Sequence, residues 1–200
     1  MAQGGGALVD AYFATSVLTL AVTAAGFAIA SALRPRAEED DGRVEELLGT
    51  ALPRSRWLFG HVVLTLVGTV AVVDASGVGL ALGYLIVGGD ATSPWVLVRA
   101  TFGYVAPVLV LAAVARALHG WLPWLAWLSW LGLAFAAVVV LFGEVLDLPQ
   151  WLQDISPFEH VALVPAASFE WAPVLILAGL VGVLSAVGQL GFRRRDIVLT

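Results

Sequence analysis

Asp74 stands alone as a charge in the run from Leu58 to Val87, about sixteen residues into a stretch that is otherwise mostly apolar. A carboxylate at that depth of a membrane-crossing helix is costly, and such groups face a protein interior, a water-filled path or a proton route. Arg99, a few residues into the next apolar run, is its candidate partner. The alternative is that Ser76, Gly77 and Gly79 loosen the helix and bring Asp74 to the membrane boundary. The tetrapeptide Asp74-Ala75-Ser76-Gly77 raises the question of a nucleophilic serine. That chemistry needs a base within reach, and His61, His119 and His160 fall near the ends of the apolar runs or between them. With no Cys and no His-Glu-x-x-His, neither a thiolate nor a zincin-type metal site is expected, and no residue is assigned a catalytic role.

The other chemically loaded stretch is Arg34 to Arg56, which holds 11 charged side chains in 23 residues, of only 25 in the chain. Acids come first (Glu38, Glu39, Asp40, Asp41), then Val44, Leu47, Leu48 and Leu52 at spacings that share one helical face, then Arg54 and Arg56. Pro35 and the acidic cluster are expected to end the preceding helix, and VEELLGTAL to form a short amphipathic helix along a membrane face. Acids at the start of a helix and arginines after its end suit its dipole.

The elements that position these groups follow from composition. A mean hydropathy of +0.93, with 12% charged residues, lies far from the roughly 25% charge of soluble domains. A hydrocarbon core about 30 Å thick takes roughly 20 apolar helical residues to cross. Five runs qualify, at about 11–33, 58–87, 94–115, 121–143 and 172–192, and they form a single transmembrane domain over 1–200. The runs are apolar on all sides instead of alternating, which selects an all-α polytopic protein over a membrane barrel.

Nine of the ten arginines fall after the first, third and fifth runs, and by the positive-inside rule those ends are cytoplasmic. The protein is thus expected in the cell membrane with its N-terminus outside, its C-terminus and residues 34–57 inside, and residues 144–171 outside. MAQGGGALVD has no basic leader, so the first helix is expected to stay uncleaved. Pro149, Pro157 and Pro165 divide segment 144–171, yet Trp151, Ile155 and Phe158 are too apolar for a free loop, which predicts a re-entrant element of broken helices. Trp57, Trp95, Trp121, Trp124, Trp151 and Trp171 mark predicted interfaces, while WLPWLAWLSW spreads its rings over half a helix circumference for lipid or packing contacts. The net charge of -5 disfavours nucleic acid as a partner.

Three stretches in this order resemble the ABC-2 type exporter permeases of the antibiotic and polyketide branch. They are EEDDGRVEELLGTALPRSRW between the first two runs, ISPFEHVALVP before the last, and the ending GFRRRDI. The resemblance covers the last five helices of the C-terminal half of such permeases. It implies a membrane subunit of an ATP-binding-cassette exporter that moves a hydrophobic or amphipathic small molecule outward, driven by a separate ATPase subunit. The segment between the first two spans would then seat a coupling helix in that ATPase. The matching positions are Glu38, Glu39, Gly42, Arg43, Glu46, Leu47, Leu48, Thr50, Arg54, Arg56 and Trp57, while Ala51 and Pro53 depart from the family's usual Pro and Ser.

All ten basic residues are Arg, so a phosphate-binding Walker Lys is missing from this sequence and ATP-Mg would be bound by the partner. Because permeases of the branch carry two six-helix halves, the resemblance further implies a second membrane half, whether in a longer chain, another subunit or a second copy. Two other readings stay open on the residues alone: a non-transporting membrane adaptor that recruits a cytoplasmic protein, and a proton-coupled carrier that uses Asp74.

Overall fold

A side chain in lipid has no water to satisfy its polar atoms, and the long helices of this protein show how their hydroxyls solve that problem. Thr15, Ser16, Thr19, Thr23 and Ser76 each donate to the carbonyl four residues back, at 2.7–3.0 Å. These side chains thus close their polar groups on the backbone of their own helix. The computed structural model describes residues 2–40, 54–86 and 94–194, and every regular element among them is helical. In chain order these are α1 (Ala2–Ala32), α2 (Arg34–Asp40), α3 (Arg54–Ile86), α4 (Pro94–Gly103) and α5 (Val105–Trp121). A 3-10 turn (Pro123–Leu125), α6 (Leu128–Phe142), α7 (Gln150–Gln153) and α8 (Trp171–Arg194) complete the order. Among the described residues, five stretches are long and apolar enough to cross a membrane: Leu8–Glu39, Arg56–Ile86, Trp95–Trp121, Pro123–Phe142 and Trp171–Arg194.

Two prolines act differently from the sequence expectation. α1 does end ahead of Pro35, at Ala32, since the proline cannot donate to the Ser31 carbonyl, but the chain only turns at Leu33 and then resumes as α2 through the acidic residues, with Arg36 and Ala37 donating to the Leu33 carbonyl at 3.1 and 3.3 Å. Pro35 sits in the first turn of the new helix, where its missing N–H costs nothing. Pro107, in contrast, breaks an apolar run that reads as one uninterrupted helix. It cannot donate to the carbonyl of Gly103, and the third span divides at Tyr104, whose N–H turns to Thr101 at 2.9 Å. The same span ends at Trp121, a turn and a half beyond the expected Ala115, which places His119 inside a helix instead of in a connecting turn.

The α4–α5 pair is the most enclosed of the spans, and the main core runs along it from Ala100 to Ala115. Around it, α1 lies antiparallel to α3: Ser31 and Thr65 hydroxyls meet at 3.0 Å, Phe27 covers Gly68, and Phe13 meets Tyr84 edge-on at 5.0 Å. α3 and α4 form an antiparallel hairpin whose register is set where Gly77 meets the side chain of Thr101.

α5 and α8 run in the same direction and touch backbone to backbone. A Cβ at Gly188 would stand 2.8 Å from the Arg116 carbonyl oxygen, and one at Gly120 would collide with the Gly188 carbonyl. Small residues at a crossing let helices approach this closely, which is where lipid-embedded helices gain dispersion energy. Arg116 and Trp121 fasten the same joint, donating at 2.9 Å to Ser185 Oγ and to the Val187 carbonyl.

Between α6 and α8 the chain is irregular, with one four-residue helix. Ser156 and Phe158 are buried there, and the Phe158 ring stacks over Tyr104 at 6.4 Å. The Ser-Pro-Phe element is thereby inserted into the core at the level where the third span breaks.

Candidate functional site

The bundle has two chemically distinct ends. At one, α2 brings Glu38 and Glu39 off the end of the first span and against two other helices. Glu38 lies 3.4 Å from His61 Nε2 on α3, and Glu39 lies 3.3 Å from His119 Nε2 on α5. His119 is 1% exposed. Trp57, also buried, stands edge-on to His61 at 5.0 Å and 6.1 Å from Phe192 of α8, which in turn lies 6.1 Å from the His119 ring. Glu38, Glu39 and Trp57 are thus gathered by residues of α3, α5 and α8.

Arg56 is exposed at the same end, and Arg54 opens α3. Gly42, Arg43, Glu46, Leu47, Leu48 and Thr50, with the amphipathic helix expected around them, lie outside the described residues. His61 and His119 were legible in the sequence only as interfacial histidines. Their one signal was that both fall at the same end as the charged segment. Among the described residues no group of three His, Asp or Glu gathers as metal ligands.

At the other end, a cavity of about 620 Å³ is lined by Asp74, Val98, Arg99, Phe102, Phe169 and Trp171. The α3–α4 hairpin brings Asp74 and Arg99 to it together. Asp74 is half-buried, and its Oδ1 is closed off from solvent with no hydrogen-bond partner. Arg99 is exposed. The Gly77–Thr101 contact pairs position 99 with position 79, so Arg99 stands five residues, or about 7.5 Å of helix rise, nearer the end of the bundle than Asp74.

Phe169 closes the wall by packing on Gly103, where an added Cβ would approach its ring to 3.0 Å, and by meeting Trp171 edge-on at 4.9 Å. Ser76 spends its hydroxyl on the Val72 carbonyl at 2.7 Å, and His160 bonds the Asp154 carbonyl at 2.9 Å. Neither is arranged as a nucleophile and base. The three rings of the cavity were not legible as site residues, since an aromatic residue in an apolar chain carries no contrast.

Beside this end, Glu159 follows the inserted Phe158. Partial loss of solvent around this exposed residue raises its carboxyl above the ordinary glutamate value; His160 partly relieves this, and the charges of Asp154 and Glu144 add to it.

Residues 1–193 match the family model described as the C-terminal domain of the multidrug efflux system permease Rv1217c. The chain belongs to this family. Over 195 residues it is 33% identical to the multidrug efflux system permease protein Rv1217c of Mycobacterium tuberculosis (strain ATCC 25618 / H37Rv), covering 97% of this chain and 36% of the relative. The chain thus spans about a third of the length of that curated relative. As a permease C-terminal domain with five membrane-length helices, it is a multi-pass membrane protein. Its place in the family agrees with the resemblance to the C-terminal half of ABC-2 type exporters carried by EEDDGRVEELLGTALPRSRW, ISPFEHVALVP and GFRRRDI.

Proposed function

We propose that this chain is part of the membrane permease of an ATP-driven efflux system, moving a hydrophobic or amphipathic small molecule outward by alternating access. A separate ATP-binding-cassette ATPase subunit binds ATP-Mg and supplies the work, and a second membrane half completes the path. The observation that carries the reading is the fastening of α2: the start of the charged segment is held to α3 and α5 through Glu38–His61 and Glu39–His119. A push delivered to residues 34–57 by a docked ATPase would reach three spans through packed and polar contacts. Packed side chains, hydrogen-bonded groups and rigid helices are the physical carriers of such coupling.

In this reading Glu38, Glu39, Gly42, Arg43, Glu46, Leu47, Leu48, Thr50, Arg54 and Arg56 form the ATPase-coupling surface, with Leu47 and Leu48 as its apolar anchors. Asp74 and Arg99 line the translocation path. The arginine-rich end faces the cytoplasm, and segment 144–171 lies at the outer face, dipping into the leaflet through its buried Ser-Pro-Phe element. The test uses inverted vesicles from cells expressing the native assembly, loaded by ATP in the presence of an uncoupler. Uptake of a lipophilic dye that persists with the proton gradient collapsed, and stops without ATP, is the expected result. Uptake that follows the gradient and ignores ATP would replace the exporter with a proton-coupled carrier.

A further inference from the structure

The cavity holds one group of each charge, set at different depths of one wall. Asp74 lies deeper, with a buried oxygen that has no partner; Arg99 lies nearer the bundle end and is exposed. Three aromatic rings, Phe102, Phe169 and Trp171, line the cavity beside them and supply apolar surface. A ligand with only a positive charge would satisfy Asp74 but meet like charge at Arg99. One with only a negative charge would do the reverse, and a neutral apolar ligand would leave the Asp74 carboxylate without a counter-charge, which a low-dielectric site penalises.

We infer that the cavity is a binding site for bipolar amphiphiles, taking a protonated amine at Asp74, an acidic group at Arg99, and an aromatic or apolar body against Phe102, Phe169 and Trp171. The amine gains a charge-assisted hydrogen bond to the carboxylate and the quadrupoles of neighbouring rings. The acidic group gains the forked donors of the guanidinium. The offset of about 7.5 Å along the hairpin favours ligands whose two charges are separated by a rigid body over those that carry both on one carbon. A volume of about 620 Å³ falls within the range of small-molecule sites.

The inference rests on reading this cavity as a ligand site of the permease, and the experiment separates the two. The native assembly in lipid nanodiscs is equilibrated with tritiated 4′-(aminomethyl)biphenyl-3-carboxylic acid, a rigid zwitterion. Its methyl ester (cation only) and its N-acetyl derivative (anion only) are run in parallel. The zwitterion should bind at least about tenfold more tightly than either derivative. Asp74→Asn should erase its advantage over the N-acetyl form, and Arg99→Gln its advantage over the ester, each variant leaving the other comparison standing.

Equal affinity for all three forms, or a uniform loss across them in either variant, would overturn the inference, as would tightest binding of an uncharged biphenyl control. ATP-driven dye uptake by the same preparation reports on the exporter reading independently. Uptake with no charge discrimination defeats the site alone, and charge-selective binding without uptake defeats transport alone.

Discussion

Glu159 shows how much one carboxyl outside the spans can report. Its folded-state affinity for a proton is raised above that of a free glutamate, whose ordinary value is 4.5. The native state therefore binds more protons than the unfolded chain at pH values just above 4.5, and stability falls as pH rises through that window. The favourable contribution is complete below 4.5 and lost once pH passes the raised value. Replacing Glu159 with Gln, which keeps the shape but cannot ionise, should raise the melting temperature at pH 7.5 slightly, since solvent screens this exposed residue, and flatten its pH dependence. Thermal unfolding in detergent at pH 5 and 7.5 measures this, and a lower melting temperature for the variant at pH 7.5 would assign Glu159 a favourable charged contact instead.

The residue scale also divides what could be read beforehand from what could not. Asp74 and Arg99 stood out because a charge inside an apolar run is rare, and both line the cavity. Phe102, Phe169 and Trp171 are as chemically relevant but are written in the same alphabet as the lipid-facing surface, so nothing in their spacing distinguished them.

Among the elements, the α5–α8 joint has the sharpest consequences for mutation. Gly188 has backbone within 3.1 Å of any Cβ placed there, whereas Gly179 on the same helix has open space. Gly188→Val should force the helices apart at a cost of about 1–3 kcal/mol, the usual penalty of overpacking, and Gly179→Val should leave the melting temperature nearly unchanged. Equal effects of the two substitutions would show that α8 does not sit on α5 as described. The count and type of the spans were readable because lipid demands long apolar helices.

The break at Tyr104 was not readable. It depends on Pro107 removing one hydrogen bond and on the Phe158 ring filling the space beside the break, a contact between residues 54 positions apart. The pairing of α2 with His61 and His119 was hidden for the same reason: sequence shows which groups need partners, not which helices will bring them.

For the molecule as a whole, the uneven placement of arginine is the dominant electrostatic fact, and it predicts a fixed orientation in the membrane. With no native Cys, single cysteines report accessibility cleanly. Ala37→Cys, exposed on α2, should react with an impermeant maleimide only after the membrane is opened, and Gln150→Cys at the other end should react in intact cells. The reverse pattern would invert the topology and with it the direction assigned to transport.

The parallel arrangement of α5 and α8 also bears on how the protein is made. Antiparallel neighbours such as α1 and α3 can associate as soon as the ribosome has delivered both, but parallel partners are necessarily separated by a return crossing. Arg116 meets Ser185 only 69 residues later in the chain. During synthesis α5 must therefore wait in the membrane, its arginine and its bare glycine surface without their eventual partners, until α8 emerges. Biogenesis of this protein thus has a late commitment step. A product shortened just before Trp171 should insert the four described spans that precede it, fail to close the α5–α8 joint, and be cleared by membrane proteases faster than a product that includes α8, which pulse-chase labelling would measure.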